Sequence, residues 1–184
     1  VHKESDIEKD KLDTLYRWYN HRSFVSPDPL QFLYEYDDPL DREIVGLIAS
    51  GLAYGRVRQI LKSVSRVLEQ MGSPKQYVLD ATPPLLERDF RGFKHRFTID
   101  SELAELLAGI GHVLRRHGTL QQCFLAHDDG SENVLVPLEG FVNELSAQFS
   151  TDRNSLLPSP SRKSACKRLH LYLKWMVRKD DVDP

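Results

Sequence analysis

The sequence predicts an all-α chain, and three observations carry that expectation. Apolar residues recur at i, i+3, i+4 and i+7 in one segment after another, the spacing that lines a single helical face. Prolines and glycines fall mostly between those segments, as helix boundaries require. There is no convincing β-hairpin signal, with alternating strands closed by a tight-turn dipeptide, and no internal repeat. The 184 residues, 40% of them apolar, suffice for a single domain over 1–184, divisible into lobes of about 1–39 plus 152–184 and about 40–151.

Residues 6–21 read as a first amphipathic helix, with Ile7, Leu12, Leu15, Tyr16 and Tyr19 near helical spacing. Ser26-Pro27-Asp28-Pro29 then breaks the chain. Leu30 to Tyr36 is a short apolar turn or helix stopped by Asp37-Asp38-Pro39, since proline restricts the residue before it. From Asp41 to about Tyr54 nearly every position after Glu43 is apolar or small, which fits a central helix enclosed on most sides. Val57, Ile60, Leu61, Val64, Val67, Leu68 and Met71 line the next helix, which Gly72 and Pro74 end; Arg58, Lys62 and Arg66 share its outer side. The stretch 75–99 has no firm assignment: Pro83-Pro84 interrupts it, and Arg88, Arg91, Lys94, His95 and Arg96 are interleaved with Phe90, Phe93 and Phe97. Asp100 is the expected N-cap of a helix presenting Leu103, Leu106, Leu107, Ile110, Val113 and Leu114 and closing at Gly118. A shorter helix at 119–127 and a polar loop precede a helix carrying Leu138, Phe141, Val142 and Leu145, with Pro137 in its first turn. A connector rich in Ser and Pro, Thr151 to Ser161, leads into a final helix from about Arg162 to Lys179.

Several classes of function are set aside. The longest uncharged apolar run, Ile44 to Tyr54, is well short of the roughly 20 residues that span a bilayer. The N-terminus runs straight into charged sequence with no secretory leader, so a cytosolic location is expected. Cys123 and Cys166 lie far apart, outside any Cys-x-x-Cys spacing, and are expected to be free and buried. No histidine pair has the His-x-x-x-His spacing, and neither metal nor cofactor is expected. Gly109-Ile-Gly111 lies inside a helical pattern with no strand before it, which rules out a dinucleotide loop.

The net charge of −2 hides an uneven distribution: residues 1–46 hold eleven acids and six Lys/Arg, whereas 153–179 hold eight Lys/Arg and no acid. On the last helix, Ala165, Cys166, Leu169, Tyr172, Leu173, Met176 and Val177 fall on one arc, and Lys167, Lys174 and Arg178 fall together almost opposite. Leu171 and Trp175 sit beside that basic stripe. One account is a solvated helix face. The other uses Lys167, Lys174 and Arg178 for phosphates and Trp175 for stacking against a base. Spacing alone does not choose between them.

Two stretches resemble the helix-hairpin-helix DNA glycosylase superfamily, which includes endonuclease III and the oxoguanine glycosylases. Glu43 through Val57 is similar to the Leu-Ile-Ala-x-x-Leu-Ser-x-Gln helix of those enzymes, and Leu157-Pro-Ser-Pro-Ser-Arg-Lys-Ser-Ala165 to their Leu-Pro-Gly-Val-Gly-x-Lys-x-Ala hairpin. Phe93-Lys-His-Arg-Phe97 and the 101–117 helix follow the oxoguanine-glycosylase order. The whole chain is also similar to a bacterial domain-of-unknown-function family, through Asp28-Pro-Leu-Gln-Phe32, Leu52-Ala-Tyr-Gly-Arg56 and Ser164-Ala-Cys-Lys-Arg-Leu169 followed by Trp175-Met-Val-Arg-Lys-Asp180. Its members continue into a Leu-Asp-Thr-His-like segment, so the resemblance implies a glycosylase-like all-α fold lacking its C-terminal part.

The resemblance implies binding to DNA or another nucleic acid, with base excision of damaged or modified bases. Lys163 takes the place of the catalytic lysine, and as an amine nucleophile it would need a lowered pKa, toward which Arg162 and Lys167 push. Tyr54 or Arg56 would replace the wedge glutamine, whose position is Gly55. Ser159-Pro160-Ser161 departs from Gly-Val-Gly and weakens the phosphate-binding amides, because proline has no N–H. That departure favours the alternative, a non-catalytic helical module that binds a protein partner. Cys166 lies in the apolar arc and reads as a core residue, not a nucleophile.

Overall fold

The computed structural model describes residues 2–151 and 153–184, with side chains from Glu8 onward; the side chain of Ile7 lies outside the described residues. Nine α-helices are found among them: α1 His2–Tyr19, α2 Pro39–Gly51, α3 Val57–Met71, α4 Pro74–Asp80, α5 Pro83–Asp89, α6 Asp100–His117, α7 Leu120–Leu125, α8 Leu135–Ser146 and α9 Lys167–Val177. Short 3-10 turns occupy Pro29–Glu35 and Pro160–Arg162.

The centre of the fold is α2. Asp38 caps it by accepting the Leu40 amide at 2.9 Å, and Pro39 sits where its missing N–H costs nothing. Every residue from Ile44 to Leu52 is buried, against α9, the 29–35 turn, α3, α4 and α7. This is the enclosure that the unbroken apolar run implied. The helix ends at Gly51, before Tyr54, and the chain turns there toward α3.

Around this centre, α6 packs on α4, α5, α7 and α8. The pair Gly109 and Gly111 serves those crossings. Residues two positions apart on a helix point about 200° from one another, so each glycine faces a different neighbour. A Cβ on Gly109 would stand 2.1 Å from the Leu145 carbonyl oxygen of α8, and one on Gly111 2.3 Å from that of Val78 in α4. One apolar cluster joins Leu30 to Trp175 and includes both free cysteines. Burial pushes the Cys123 thiol up to about 12. No helix among the described residues is long and apolar enough to cross a membrane.

Four expectations are corrected. Residues 94–99 form a small antiparallel hairpin, β1 Lys94–His95 paired with β2 Thr98–Ile99, although no turn signal marks it. Its turn uses Arg96 at φ +55, a conformation usually given to Gly or Asn. The last helix begins at Lys167 and ends at Val177, because Lys163 at φ +59 and Cys166 at φ +45 are both left-handed and interrupt the helical path. Asp100 is the first residue of α6 and not its cap; Glu102 accepts the Ile99 amide at 3.1 Å instead. Finally, the apolar side of α1 is not covered: Leu12, Leu15, Tyr16, Trp18 and Tyr19 are all exposed, Trp18 to 65%.

Candidate nucleic-acid interface

The cations of α9 do not share one environment. Lys167 and Lys174 are exposed and, among the described residues, unpaired. Arg178 lies just past the helix and is ion-paired to Asp180 at 3.2 Å and Asp183 at 2.8 Å. Those acids follow directly on the acid-free segment 153–179. Trp175 is turned inward and only 5% exposed, which corrects its placement beside the basic stripe and removes it as a ring available to a base. It lines an apolar cleft of about 440 Å³ with Phe124, Phe141, Tyr172 and the half-buried Glu43. Burial raises the Glu43 pKa, opposed by the Leu120 and Gln121 amides that its carboxylate accepts.

Upstream of α9, Arg162 and Lys163 are exposed in the 160–166 turn. The Arg162 and Lys163 amides bond to the carbonyls of Ser159 and Pro160, and the Cys166 amide to Ser164 Oγ, so these are not open to a phosphate. Arg162 does line a cleft of mixed polarity with Arg153, Ser159, Ser161, Ser164 and Phe149. Cys166 is buried, its thiol against the Pro158 and Ser164 carbonyls at 3.5 Å, as its place in the apolar arc implied.

Tyr54 occupies a different setting. Its hydroxyl donates to the His95 carbonyl at 2.8 Å and meets Thr98 Oγ1 at 2.5 Å, which in turn meets Ser155 Oγ at 2.5 Å. His95 is wholly buried. Its Nε2 donates to the Tyr54 carbonyl at 3.0 Å, leaving Nδ1 to accept from the Ser63 hydroxyl at 2.9 Å. Burial pushes the imidazole pKa down, and Arg96 and Arg168 add to that push. The Arg168 guanidinium lies 4.8 Å from the Tyr54 ring centroid and donates to the Gly51 and Ser155 carbonyls, with no carboxylate at ion-pair distance among the described residues. This enclosed network fixes the Tyr54 ring.

Against that ring stacks Phe97, centroids 4.7 Å apart and planes 22° from parallel, and Phe97 is itself 62% exposed. Gly55 shapes the approach: it sits at φ +102, and a Cβ there would lie 2.8 Å from Arg96 Cδ. The hairpin is thereby seated against the start of α3, which packs on β1. Two acid-free segments meet here. Residues 55–68 supply Arg56, Arg58, Lys62 and Arg66, and residues 90–99 supply Arg91, Lys94 and Arg96. All seven are exposed, and among the described residues none is within ion-pair distance of a carboxylate. Arg66 also reaches over the Phe93 ring, at 5.7 Å.

Of the residues singled out in the sequence, the structure therefore brings Tyr54 and Arg56 into this surface and leaves Lys167 and Lys174 on α9 and Arg178 just past its end. It adds Phe97, Arg96, Lys94, Arg58 and Lys62. The outer cations of α3 and the mixture of cations with phenylalanines at 88–97 were both visible in the sequence; what joins them is a hairpin with no turn signature. No three His, Cys, Asp or Glu side chains among the described residues converge as metal ligands. A family model described as a protein of unknown function, DUF2400, matches residues 28–184, which leaves α1 outside the match. No curated protein and no solved structure matches the chain.

Proposed function

The chain belongs to the DUF2400 family, whose description names no activity, and from the geometry we propose that it binds nucleic acid through the surface formed by α3 and the 94–99 hairpin. The observation that carries the reading is that seven exposed cations of α3 and of residues 91–96 have no acidic partner among the described residues, and that the 94–99 hairpin also carries an exposed aromatic ring, Phe97. Unpaired Lys and Arg release counterions from a phosphate backbone and give strongly salt-dependent affinity. A merely solvated basic face has no use for an exposed phenylalanine in the same hairpin.

The finer architecture in this proposal is helix-hairpin-helix glycosylase-like. Its support is order: α2, α3, the Phe93–Phe97 segment, α6 and the 157–166 turn before α9 follow one another as in the resemblance. Base excision has less behind it. Lys163 stands exposed in a left-handed turn, with no carboxylate at ion-pair distance among the described residues. Borohydride trapping on duplexes carrying a panel of lesions is expected to give no adduct that depends on Lys163; such an adduct would establish the catalytic role.

The binding proposal is tested by fluorescence anisotropy with a labelled oligonucleotide across a salt series. Changing Arg58, Lys62 and Lys94 to Ala together is expected to lower the slope of log K against log salt by about 2, at roughly 0.7 per lost phosphate contact. An unchanged slope would sink the proposal. A second reading, the protein-interaction module, is favoured by one feature, the exposed apolar side of α1.

A further inference from the structure

We infer that the open face of Phe97 is a stacking site for an unpaired nucleobase, so that the ligand of this surface is single-stranded nucleic acid in preference to an intact duplex. The inference rests on the nucleic-acid reading above and names its substrate class. Three observations lead to it.

First, among the described residues one aromatic partner, Tyr54, meets Phe97. Tyr54 covers it at a centroid distance of 4.7 Å with nearly parallel planes, and the residue as a whole remains 62% exposed. The free face has the size and polarity of a base-stacking surface. Second, the ring stacks on a neighbour that is itself held in place. Tyr54 is held through its hydroxyl by the His95 carbonyl and Thr98 and has the Arg168 guanidinium at its ring, while Arg168 is anchored on the Gly51 and Ser155 carbonyls. A fixed platform loses little side-chain freedom when a base settles on it. Third, the charges flank the ring along the chain. Arg96 precedes it directly and Lys94 lies in the adjoining strand, while Arg56 and Arg58 open α3 on the other side of Gly55. Phosphates on either side of a stacked base can meet those cations.

The preference for single strands follows from what each ligand must give up. In a duplex both faces of a base are already stacked on neighbours, and freeing one costs unpairing and unstacking. An unpaired strand offers its base faces freely, and stacking one base on an exposed aromatic ring changes affinity by about tenfold. Phosphate attraction alone makes no such distinction.

The test compares oligothymidylate, an abasic strand of equal length and a blunt duplex, titrated at low salt against the whole chain and against Phe97→Ala, Phe97→Leu and Phe97→Trp. Circular dichroism and melting of each variant confirm that the fold is intact. The whole chain is expected to bind oligothymidylate about tenfold more tightly than the abasic strand. Phe97→Ala and Phe97→Leu are expected to lower oligothymidylate to the abasic level, and Phe97→Trp to keep the preference. Equal affinity for the three probes, tighter binding of the duplex, or indifference to Phe97→Ala would overturn the stacking site while leaving the basic surface as a phosphate binder. No binding of any probe would overturn the nucleic-acid reading and the inference together.

Discussion

Arg168 and His95 are the two residues in which the cost of the interface is concentrated. A guanidinium enclosed with only neutral acceptors gives up hydration without the return of an ion pair; the Gly51 carbonyl at the C-terminal end of α2 compensates in part, because a helix end carries partial negative charge. Changing Arg168 to Met leaves two carbonyls without their donor and is expected to cost about 1–3 kcal/mol, read by urea unfolding. If stability is unchanged, the guanidinium is not bracing the network. For His95 the sign is set by burial. Its folded pKa lies below the unfolded value of about 6.5, so below that pH the unfolded chain binds the extra proton. Stability is complete above the unfolded pKa and falls as pH drops from there toward the folded one. Melting followed from neutral to mildly acidic pH is expected to show a steeper loss in the unaltered chain than in His95→Gln. Parallel curves would mean that the imidazole is not buried in its neutral form. Other groups, Glu43 among them, titrate in both proteins and cancel in the difference.

Among the elements, the helices were the part legible in the sequence, and the reason is periodicity. The seven apolar residues read for α3 lie within Val57–Met71, and the buried run of α2 was evident from its lack of polar positions. What periodicity does not register is a left-handed residue. Arg96, Lys163 and Cys166 carry positive φ without being glycine, and each moved an element: a hairpin appeared at 94–99, and the last helix began at Lys167. A helical wheel also assumes that the opposite side of a helix faces water. Trp175 sat beside the cations on the wheel and is buried, as a member of the core cluster on a helix that packs along α2. In α1 the converse holds, since an amphipathic pattern was present and its described apolar residues Leu12, Leu15, Tyr16 and Tyr19 remain exposed. Two measurements bear on these elements. Gly109→Ala places a methyl 2.1 Å from the Leu145 oxygen, so α6 and α8 must separate; a loss of at least about 1–3 kcal/mol is expected from such overpacking, and unchanged unfolding would refute the close crossing. Removing residues 1–20 takes away α1 and its Tyr16 hydrogen bond to Asp180 but no member of the core cluster. The shortened chain is expected to unfold cooperatively with a Tm within a few degrees of the original, whereas loss of a cooperative transition would make α1 part of the fold.

Over the whole molecule, a chain of nearly balanced charge carries two basic regions that differ in kind. The α9 region is the one that counting along the sequence brings forward, yet Arg178 is neutralised by Asp180 and Asp183, and Trp175 is withdrawn into the interior. The α3 and hairpin region was split in sequence between two segments some thirty residues apart, and folding places them side by side at Gly55 and Arg96. Local potential depends on cations left unpaired in space, not on how densely they follow one another in the chain. The two regions are therefore expected to separate under mutation. Lys167→Ala with Lys174→Ala should change oligonucleotide affinity by no more than about twofold, the effect of charges at the rim of a contact, since neither belongs to α3 or the hairpin. Arg56→Ala with Lys94→Ala removes two unpaired cations of the α3 and hairpin surface and should weaken binding about tenfold or more at moderate salt, with a shallower salt slope. Reversing Arg178 to Glu would face it with two like charges and lower stability, so that variant reads folding and not binding. If instead the α9 pair dominates the affinity and the α3 pair does not, the interface lies on α9, and the cations around Phe97 are a solvated face.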